Sequence, residues 1–298
     1  MPELPEVETI RKQLAKEIQG FVFSDVRTDA EKMFKPSFKV VSSAINNQKI
    51  ESVSRQAKLL IFNLSSGFSL LFHLKLTGRL LVRKPSDPAD EFTHAVFILR
   101  IPDLNPSAPG SKRELRFADA RKFGFVKLVT DQKEMEDLLK GFGPEPFKDL
   151  TLKSFTKALG TSARPIKIVL LDQQKISGIG NIYANDSLYL AKVHPKKPAN
   201  KLKSEEVKKL YSSVLEVLRR GLKYGGASDQ WYVQVHGEKG EYQKHFLVYG
   251  KSGQSCTVCG GAIKRMELGG RGTFFCPVCQ LWNDSGHGQN DEGKRKKA

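Results

Sequence analysis

The four cysteines of the chain lie in one short stretch and constrain its fold more than any other feature. They form two pairs, Cys256-x2-Cys259 and Cys276-x2-Cys279, with sixteen residues between the pairs. Each pair offers two thiolates from one tight turn, and together they supply the tetrahedral all-thiolate set that zinc prefers. Because four thiolates leave no open coordination position, we predict one structural Zn²⁺ ion. The residues between the pairs predict a hairpin at 269–275 with Arg271 at its tip.

The charge of the chain favours a polyanionic partner. Its 298 residues suffice for two domains and a small third module. Lysine and arginine number 49 against 32 aspartates and glutamates, a formal net charge of +17. That excess indicates nucleic acid first and an anionic membrane second. The second choice is weak because no apolar run approaches the length of a membrane span. Acidic residues stand where the basic part of a signal peptide would lie, so we expect a cytoplasmic protein.

The first eight residues, Met1-Pro2-Glu3-Leu4-Pro5-Glu6-Val7-Glu8, contain a candidate nucleophile. Removal of Met1 would leave Pro2 as a secondary amine, whose pKa as a chain terminus would be about 8. Such an amine can attack an electrophilic carbon and form an iminium, with Glu3 close enough to move protons. The alternative is purely structural: Pro5 and the two following glutamates favour the start of an amphipathic helix over 5–19. That alternative does not account for Pro2 and Glu3.

Up to about residue 130 the pattern is typical of a β-sandwich or barrel. Short apolar stretches alternate with turns rich in glycine, proline, serine and aspartate. The strongest hairpin signal joins 58–64 to 68–74 through Ser65-Ser66-Gly67. The predicted strands are 21–25, 48–53, 58–64, 68–74, 79–82, 95–101, 114–118 and 124–129.

The period of the apolar residues then changes to that of helices. The predicted helices are 131–140, 151–159, 166–173, 181–190 and 205–223, the last capped by Ser204. We therefore predict a sandwich domain with a leading helix at 1–130 and a helical domain at 131–250. A zinc ribbon follows at 251–283, and 284–298 is predicted to be a disordered basic tail that ends in Lys294-Arg295-Lys296-Lys297.

Two loops allow either a structural or a DNA-binding interpretation. In 175–181 the glycines can end one helix and Asn181 can cap the next, or backbone N–H groups and Asn181 can hold a phosphate. The loop 116–124 is either a solvated turn or a wedge that inserts Arg121 and Phe123 into a base stack. Lys58 and His73 are either solvent-facing strand residues or cations along a phosphate track.

Together these motifs resemble those of the formamidopyrimidine-DNA glycosylases, a family of bacterial base-excision repair enzymes. The motifs span 2–280 in the family's order. They are the first eight residues, Ala57-Lys58, His73-Leu74, Arg121-x-Phe123-Gly124, Gly141-x-Gly143-Pro144-Glu145-Pro146, Gly178-Ile179-Gly180-Asn181-Ile182-Tyr183-Ala184, Val248-Tyr249-Gly250 and the ribbon. The resemblance implies an α+β multidomain fold. Its parts are an N-terminal β-sandwich with a leading helix, a helix–two-turns–helix domain and a four-cysteine zinc ribbon, with duplex DNA between the halves.

The resemblance also implies a monomeric, bifunctional DNA glycosylase and AP lyase for 8-oxoguanine and formamidopyrimidines, located with the bacterial nucleoid. Pro2 would attack C1′ of the damaged nucleotide, and Glu3 would be the acid and base for that displacement. Lys58 would assist β-elimination, and Arg271 would assist δ-elimination and bind phosphate. The residues expected to contact DNA are His73, Leu76, His94, Arg121, Phe123, Asn181 and Tyr242.

Two positions depart from the family pattern. Leu76 stands where a gap-filling methionine is usual, and Phe92 stands where a histidine is often found, although His94 is retained. Two other functions remain open from the sequence. One is a glycosylase of the endonuclease VIII type, which removes oxidised pyrimidines, and the other is a non-catalytic zinc-ribbon DNA-binding protein.

The segment 225–250 bears on the choice of lesion. It is long for a connector, and Trp231, Tyr232 and Val233 make it too apolar for a disordered linker. In purine-specific relatives a loop at this place resembles a lid whose backbone N–H groups read the oxidised edge of the flipped base. We therefore predict a preference for oxidised purines.

Overall fold

Two β-sheets packed face to face form the first half of the chain, as the strand pattern predicts. The computed structural model describes residues 1–102, 104–105, 108, 110–228 and 231–282, and the predicted tail at 284–298 lies outside them. The strands are β1 (Val22–Thr28), β2 (Phe34–Lys35), β3 (Ile50–Gln56), β4 (Leu59–Leu64), β5 (Ser69–His73), β6 (Gly78–Arg83), β7 (Thr93–Arg100), β8 (Lys112–Asp119) and β9 (Phe125–Val129). One sheet has the order β1-β7-β8-β6 and the other β2-β9-β5-β4-β3.

Phenylalanine rings fill the space between these sheets. The Phe72 ring lies 5.4 Å from that of Phe97 and 6.1 Å from that of Phe117, so side chains of both sheets interdigitate. Helix α1 (Leu4–Ile18) covers this core with its apolar stripe, including Ile10 and Leu14, which are completely buried. Burial of this kind contributes about 1.5–3 kcal/mol per large aliphatic side chain. We call α1 and the two sheets the sandwich lobe.

The helical half has its own core. Its helices are α2 (Phe38–Ile45, within the sandwich lobe and not predicted), α3 (Gln132–Lys140), α4 (Leu152–Gly160), α5 (Ile166–Leu171), α6 (Asn181–Leu190) and α7 (Ser204–Lys223). The predicted stripe of α7, represented by Leu210 and Val214, is buried in one apolar cluster with Phe155. Helix α7 begins one residue earlier than predicted, because Lys203 and not Ser204 occupies the N-cap. We call α4–α7 the helical lobe. Across the described ranges, no helix is both long and apolar enough to cross a membrane.

Two segments do not stay within the lobe where they begin. Leu4, the first residue of α1, is buried in the helical core, whereas the rest of the α1 stripe is buried in the sandwich core. Conversely, Tyr232 and Val235 follow α7 but pack into the sandwich core. The Val235 carbonyl accepts a hydrogen bond from the Val82 N–H at 2.8 Å. The two lobes are therefore tied together by α1 near the start of the chain and by the segment that follows α7.

The ribbon consists of two cysteine turns and a hairpin. Its strands are β10 (Lys264–Leu268) and β11 (Arg271–Phe275), so the predicted hairpin is present but begins at 264 and not at 269. Arg271 is the first residue of its second strand, next to the turn. The Sγ atoms of the four cysteines lie within 4.8 Å of one another. The separations are 3.8 Å for Cys256–Cys279 and 3.4 Å for Cys259–Cys276. A tetrahedron with Zn–S bonds of about 2.3 Å has edges of about 3.8 Å, so the four thiolates fit one zinc ion.

Candidate active site

A cavity of about 510 Å³ opens between the lobes and the ribbon. Its walls bring together residues that lie far apart in the sequence, among them Met1, Glu3, Lys58, Leu76, Trp231 and Arg271. Met1 is half exposed at the cavity, whereas Pro2 and Glu3 behind it are buried. Removal of Met1 would therefore expose the nitrogen of residue 2 to a space already lined by a carboxylate and an amine.

Glu3 is fixed by the helical lobe. Its Oε1 accepts a hydrogen bond from the Ile182 N–H at 2.9 Å, and its Oε2 accepts one from the Tyr183 N–H at 3.4 Å. Those are early N–H groups of α6, so the Glu3 carboxylate caps this helix from a different part of the chain. Of the two interpretations of 175–181, the one in which Asn181 caps α6 is wrong, since Gly180 is the N-cap. These two N–H groups are also unavailable to a phosphate.

Gly180 allows this close approach. A Cβ at position 180 would lie 2.2 Å from Glu3 Cδ, inside the carboxylate. The Glu3 carboxyl is nearly completely buried, and burial raises its pKa to about 7, against opposing contributions from Lys58 and the Ile182 N–H. A carboxyl with this pKa exchanges a proton readily near neutral pH, which suits an acid and base.

Glu6 supports Glu3 from below, a role that the sequence did not reveal. Its Oε2 accepts the Glu3 N–H at 2.7 Å, and its Oε1 accepts the Tyr183 hydroxyl at 2.6 Å and the Ala227 N–H at 2.8 Å. Glu6 thus joins α1, α6 and the segment after α7. The sequence pattern indicates only that a glutamate favours the N-terminal end of α1; the signal for a further role is that three glutamates fall within eight residues.

Lys58 is buried as well, contrary to a solvent-facing strand position. Its Nζ donates to the Ile179 carbonyl at 2.9 Å, and burial lowers the pKa of its amine. An ion pair behind it fixes the turn at Ala57, whose φ is 52°. Glu145 accepts Arg55 Nη2 at 2.7 Å and the Ala57 N–H at 2.5 Å. Arg55 and Glu145 are therefore positioning residues that motif reasoning had not assigned.

His73 lies beside Lys58 and is held as a neutral ring. Burial first, and then the charges of Lys75 and Lys58, lower its pKa to about 4. Its Nδ1 accepts the Lys75 N–H at 3.0 Å, which leaves the proton on Nε2. A neutral imidazole can donate this N–H to a phosphate without adding to the positive charge of the cavity.

The ribbon side of the cavity is anchored by side chains of the helical lobe. Lys167 is completely buried and donates to the Gly272 carbonyl at 2.9 Å and to Thr273 Oγ1 at 2.7 Å. Asn181 Nδ2 donates to the same Gly272 carbonyl at 3.1 Å. The neighbouring Arg271 is exposed. Asn181 thus holds the hairpin that presents Arg271, and Lys167 is a further contact that sequence reasoning missed.

Two exposed loops meet at the sandwich side of the cleft. Leu76 is 38% exposed and Phe123 is 54% exposed, high values for apolar side chains. The Arg121 guanidinium lies 4.6 Å from the centre of the Phe123 ring. Buried Asp119 joins the two loops, because it accepts the Thr77 hydroxyl and also the Gly124 N–H at 2.7 Å. The three side chains predicted to fill the gap in DNA are thus free to contact a partner.

Two predicted DNA contacts are placed differently. His94 Nδ1 lies 2.9 Å from Asp29 Oδ1, so this ring already has a carboxylate partner. Tyr242 is completely buried, stacks on Tyr183 at 5.1 Å, and donates its hydroxyl to Asp186 at 3.1 Å. The prediction of direct DNA contact therefore needs correction for the Tyr242 side chain, which supports α6 from within the core.

The fold and the site together define a two-lobed zinc-ribbon protein with a buried carboxylate and amine facing a basic cleft. Three family descriptions match the chain in order. They are the formamidopyrimidine-DNA glycosylase N-terminal domain at 1–126, the H2TH domain of the same family at 142–232, and the zinc finger found in FPG and IleRS at 253–281. The chain belongs to the formamidopyrimidine-DNA glycosylase family, and its ribbon is the zinc-binding module of that family.

Individual relatives cover almost the whole chain. The formamidopyrimidine-DNA glycosylase of Herpetosiphon aurantiacus is 39% identical over 94% of this chain and 100% of its own length. That of Lactococcus lactis is 37% identical over 94% and 99%. A solved structure of the Lactococcus lactis enzyme, described as a complex with DNA containing an abasic site, superposes with a TM-score of 0.85. It shares 35% identity and covers 94% of this chain and 100% of its own.

Proposed function

We propose that this chain is a DNA glycosylase of base excision repair that removes oxidised purines from duplex DNA and cleaves the abasic site. Family membership supports the reaction class. Solved complexes of the Lactococcus lactis relative contain abasic-site DNA and Fapy-dG DNA, which supports duplex DNA with such lesions as the partner. The observation that carries the proposal is the buried Glu3 carboxyl, which lies next to residue 2 in a cavity shared with Lys58 and Arg271.

The first step uses Pro2 after loss of Met1. Its nitrogen attacks C1′, an N–C1′ bond forms, and the glycosidic C1′–N bond breaks as the base leaves with the electron pair and takes up the proton that the Pro2 nitrogen loses. The C1′–O4′ bond then opens to give an iminium, and O4′ takes a proton from Glu3. A Glu3 pKa of about 7 means that much of this carboxyl carries a proton near neutral pH.

The later steps break the DNA strand. The iminium acidifies the C2′ proton, whose loss expels the 3′ phosphate, and a second elimination expels the 5′ phosphate. We assign to Lys58, whose amine pKa is lowered by burial, the transfer of protons in these eliminations. In the same proposal, exposed Arg271 would bind the departing phosphate, and His73, Asn181 and the loops of Leu76, Arg121 and Phe123 would hold the duplex.

A second lesion class has one observation in its favour. A solved complex of the wild-type Lactococcus lactis relative contains DNA with an oxidised pyrimidine. We therefore include oxidised pyrimidines as a second candidate substrate for the same chemistry. Because the proposed substrate is duplex DNA and the relatives named above are bacterial, we propose that the protein acts in the cytoplasm, with the nucleoid.

Borohydride trapping tests this proposal. The wild-type protein is incubated with duplexes that contain 8-oxoguanine, dihydrouracil or an abasic site, and the covalent protein–DNA product is mapped by mass spectrometry. We expect trapping at Pro2 in chains that lack Met1, and slower trapping in Pro2→Gly, which keeps an amine but a primary one. A variant with one residue inserted between Met1 and Pro2 is the matched control and should trap nothing. Mapping to Lys58 would reassign the nucleophile, and DNA binding without trapping would favour the non-catalytic alternative.

A further inference from the structure

We infer that Trp231 is a base-stacking wall of the lesion pocket and that Phe92 is the residue that positions its indole. This inference deepens the proposed function and depends on it. It adds a planar aromatic contact for the everted base to the chemical groups described above.

The position of Trp231 is unusual for its size. The side chain is 38% exposed, and the exposed part lines the cavity that also contains Glu3, Lys58 and Leu76. Tryptophan is usually largely buried, so an indole left open toward a cavity that also contains charged side chains loses apolar burial that the fold could have provided. An everted purine or pyrimidine would cover this surface, because every base has an apolar face that stacks on an aromatic ring.

Phe92, in the sandwich lobe, contacts the indole directly. The two rings meet edge to face with centroids 5.9 Å apart and planes at 71°. Phe92 has a φ of 61°, a left-handed conformation that is rare for a bulky residue and marks local strain. The Asp119 N–H donates to the Phe92 carbonyl at 2.9 Å and fixes this conformation on the end of β8. Phe92 thus links Asp119, which joins the two exposed loops, to the Trp231 ring at the cavity.

The polar groups of residues near Trp231 are already hydrogen-bonded within the protein. Tyr232 is buried in the sandwich core, and its hydroxyl donates to the Gly225 carbonyl at 2.9 Å. The Ala227 N–H is bound by Glu6, and the Ser228 N–H donates to Gln243 Oε1 at 2.9 Å. The main-chain donors of Ala227 and Ser228, which belong to the segment predicted to act as a lid, are therefore already used. Of the described residues next to these donors, Trp231 presents its aromatic ring to the cavity.

Fluorescence gives a test that does not depend on turnover. The chain has two tryptophans, Trp231 and Trp282, so Trp282→Phe leaves the indole of interest as the single emitter. We expect its emission to be quenched by a duplex with 8-oxoguanine. A duplex with a tetrahydrofuran abasic analogue, which has no base to stack, should leave it nearly unchanged. Equal responses to the two duplexes, or none to either, would overturn the stacking assignment.

Kinetics supply the second test. Trp231→Ala should lower kcat/KM for 8-oxoguanine excision about tenfold, or about 1.4 kcal/mol, while cleavage of a preformed abasic site stays within about twofold. Trp231→Phe should recover most of the loss. Phe92→Ala should reproduce the effect, and Phe92→Tyr should restore it. Phe147→Ala is the control, because this ring is also partly exposed, at 45%, but does not line the cavity.

The outcomes separate this inference from the proposed function. Equal losses on lesion and abasic substrates would make Trp231 part of the scaffold and overturn the inference, while borohydride trapping at Pro2 would still support the proposed function. A wild-type protein that traps no DNA would remove the proposed function itself, and the fluorescence contrast would still show whether the indole stacks on a base.

Discussion

The two sides of the DNA cleft are built on opposite principles. On the chemical side, Glu3 and Lys58 are almost completely buried, and each is bound to backbone groups around α6. On the side predicted to enter the duplex, Leu76 and Phe123 are exposed at loop tips. The loops that carry them are joined beneath by Asp119.

This difference follows from what each side has to do. Acid–base groups need a dry and rigid environment, since burial shifts their pKa values toward neutrality. Side chains that fill a gap in a base stack need a free surface that only DNA covers. Substitutions on the chemical side should therefore change stability and chemistry together, whereas those at the loop tips should change DNA recognition with little effect on stability.

Loss of zinc should have the largest effect, because it disorders the ribbon that borders the chemical side of the cleft. Cys276→Ser removes one of four thiolates, and zinc contributes about 10–16 kcal/mol to the folding of small zinc modules. We expect metal loss and weaker DNA binding, because Arg271 is no longer presented by an ordered hairpin. Metal content and DNA affinity are the measurements. Val258→Ala, an exposed change between Cys256 and Cys259, should keep both; full affinity in metal-free Cys276→Ser would contradict this prediction.

Gly180→Ala should disturb the chemical side by displacing the Glu3 carboxylate. The new Cβ would lie 2.2 Å from Glu3 Cδ, so the carboxylate has to move. Overpacking of this kind costs about 1–3 kcal/mol of unfolding free energy, and displacement by about 1 Å can lower excision about a hundredfold. Gly160→Ala at the end of α4, where an added Cβ meets nothing within 4 Å, is the matched control. Equal behaviour of the two variants would show that Glu3 has room to move.

Glu3→Gln should change how the stability of the chemical side depends on pH. Burial raises the folded-state pKa of Glu3 to about 7 from an ordinary 4.5, so the protonated carboxyl stabilises the fold. That stabilisation is fully present below about pH 4.5 and is lost as pH rises through about 7. Glutamine cannot ionise, so the variant should gain stability relative to wild type over this range, by at most about 1.4 kcal/mol per pH unit. Denaturant unfolding at several pH values measures it, and a difference independent of pH would refute it.

Phe123→Ala should have the smallest effect on stability. As the ring is 54% exposed, we expect the unfolding free energy to change by less than about 0.5 kcal/mol, while affinity for lesion duplexes falls. Phe117→Ala, in the same β8–β9 region but completely buried, should cost about 3–5 kcal/mol. If Phe123→Ala were as destabilising as Phe117→Ala, the loop would be part of the core and not a DNA-contacting surface.

The sequence predicted the elements well and their connections less well. Strands, helices and cysteine turns depend on local periodicity and spacing, so β8, α6 and the ribbon hairpin were found close to their true positions. The capping of α6 by Glu3 joins atoms 179 residues apart, and no local pattern reports such a pair. Lys167, Arg55 and Glu145 were missed for the same reason, since their partners lie on other elements. Tyr242 was misplaced because sequence cannot tell a buried tyrosine from an exposed one.

The sharing of α1 between the two cores has a consequence for the timing of synthesis. Glu3 finds its partners on Ile182 and Tyr183, and Glu6 finds one on Ala227, which is 221 residues further along the chain. At about 5–20 residues per second, a ribosome needs roughly 10–40 seconds to reach those partners. During this interval the first residues have no helical lobe to bury them. Met1 is therefore accessible to an aminopeptidase before folding encloses Pro2, and the reactive amine can be made before the site that uses it.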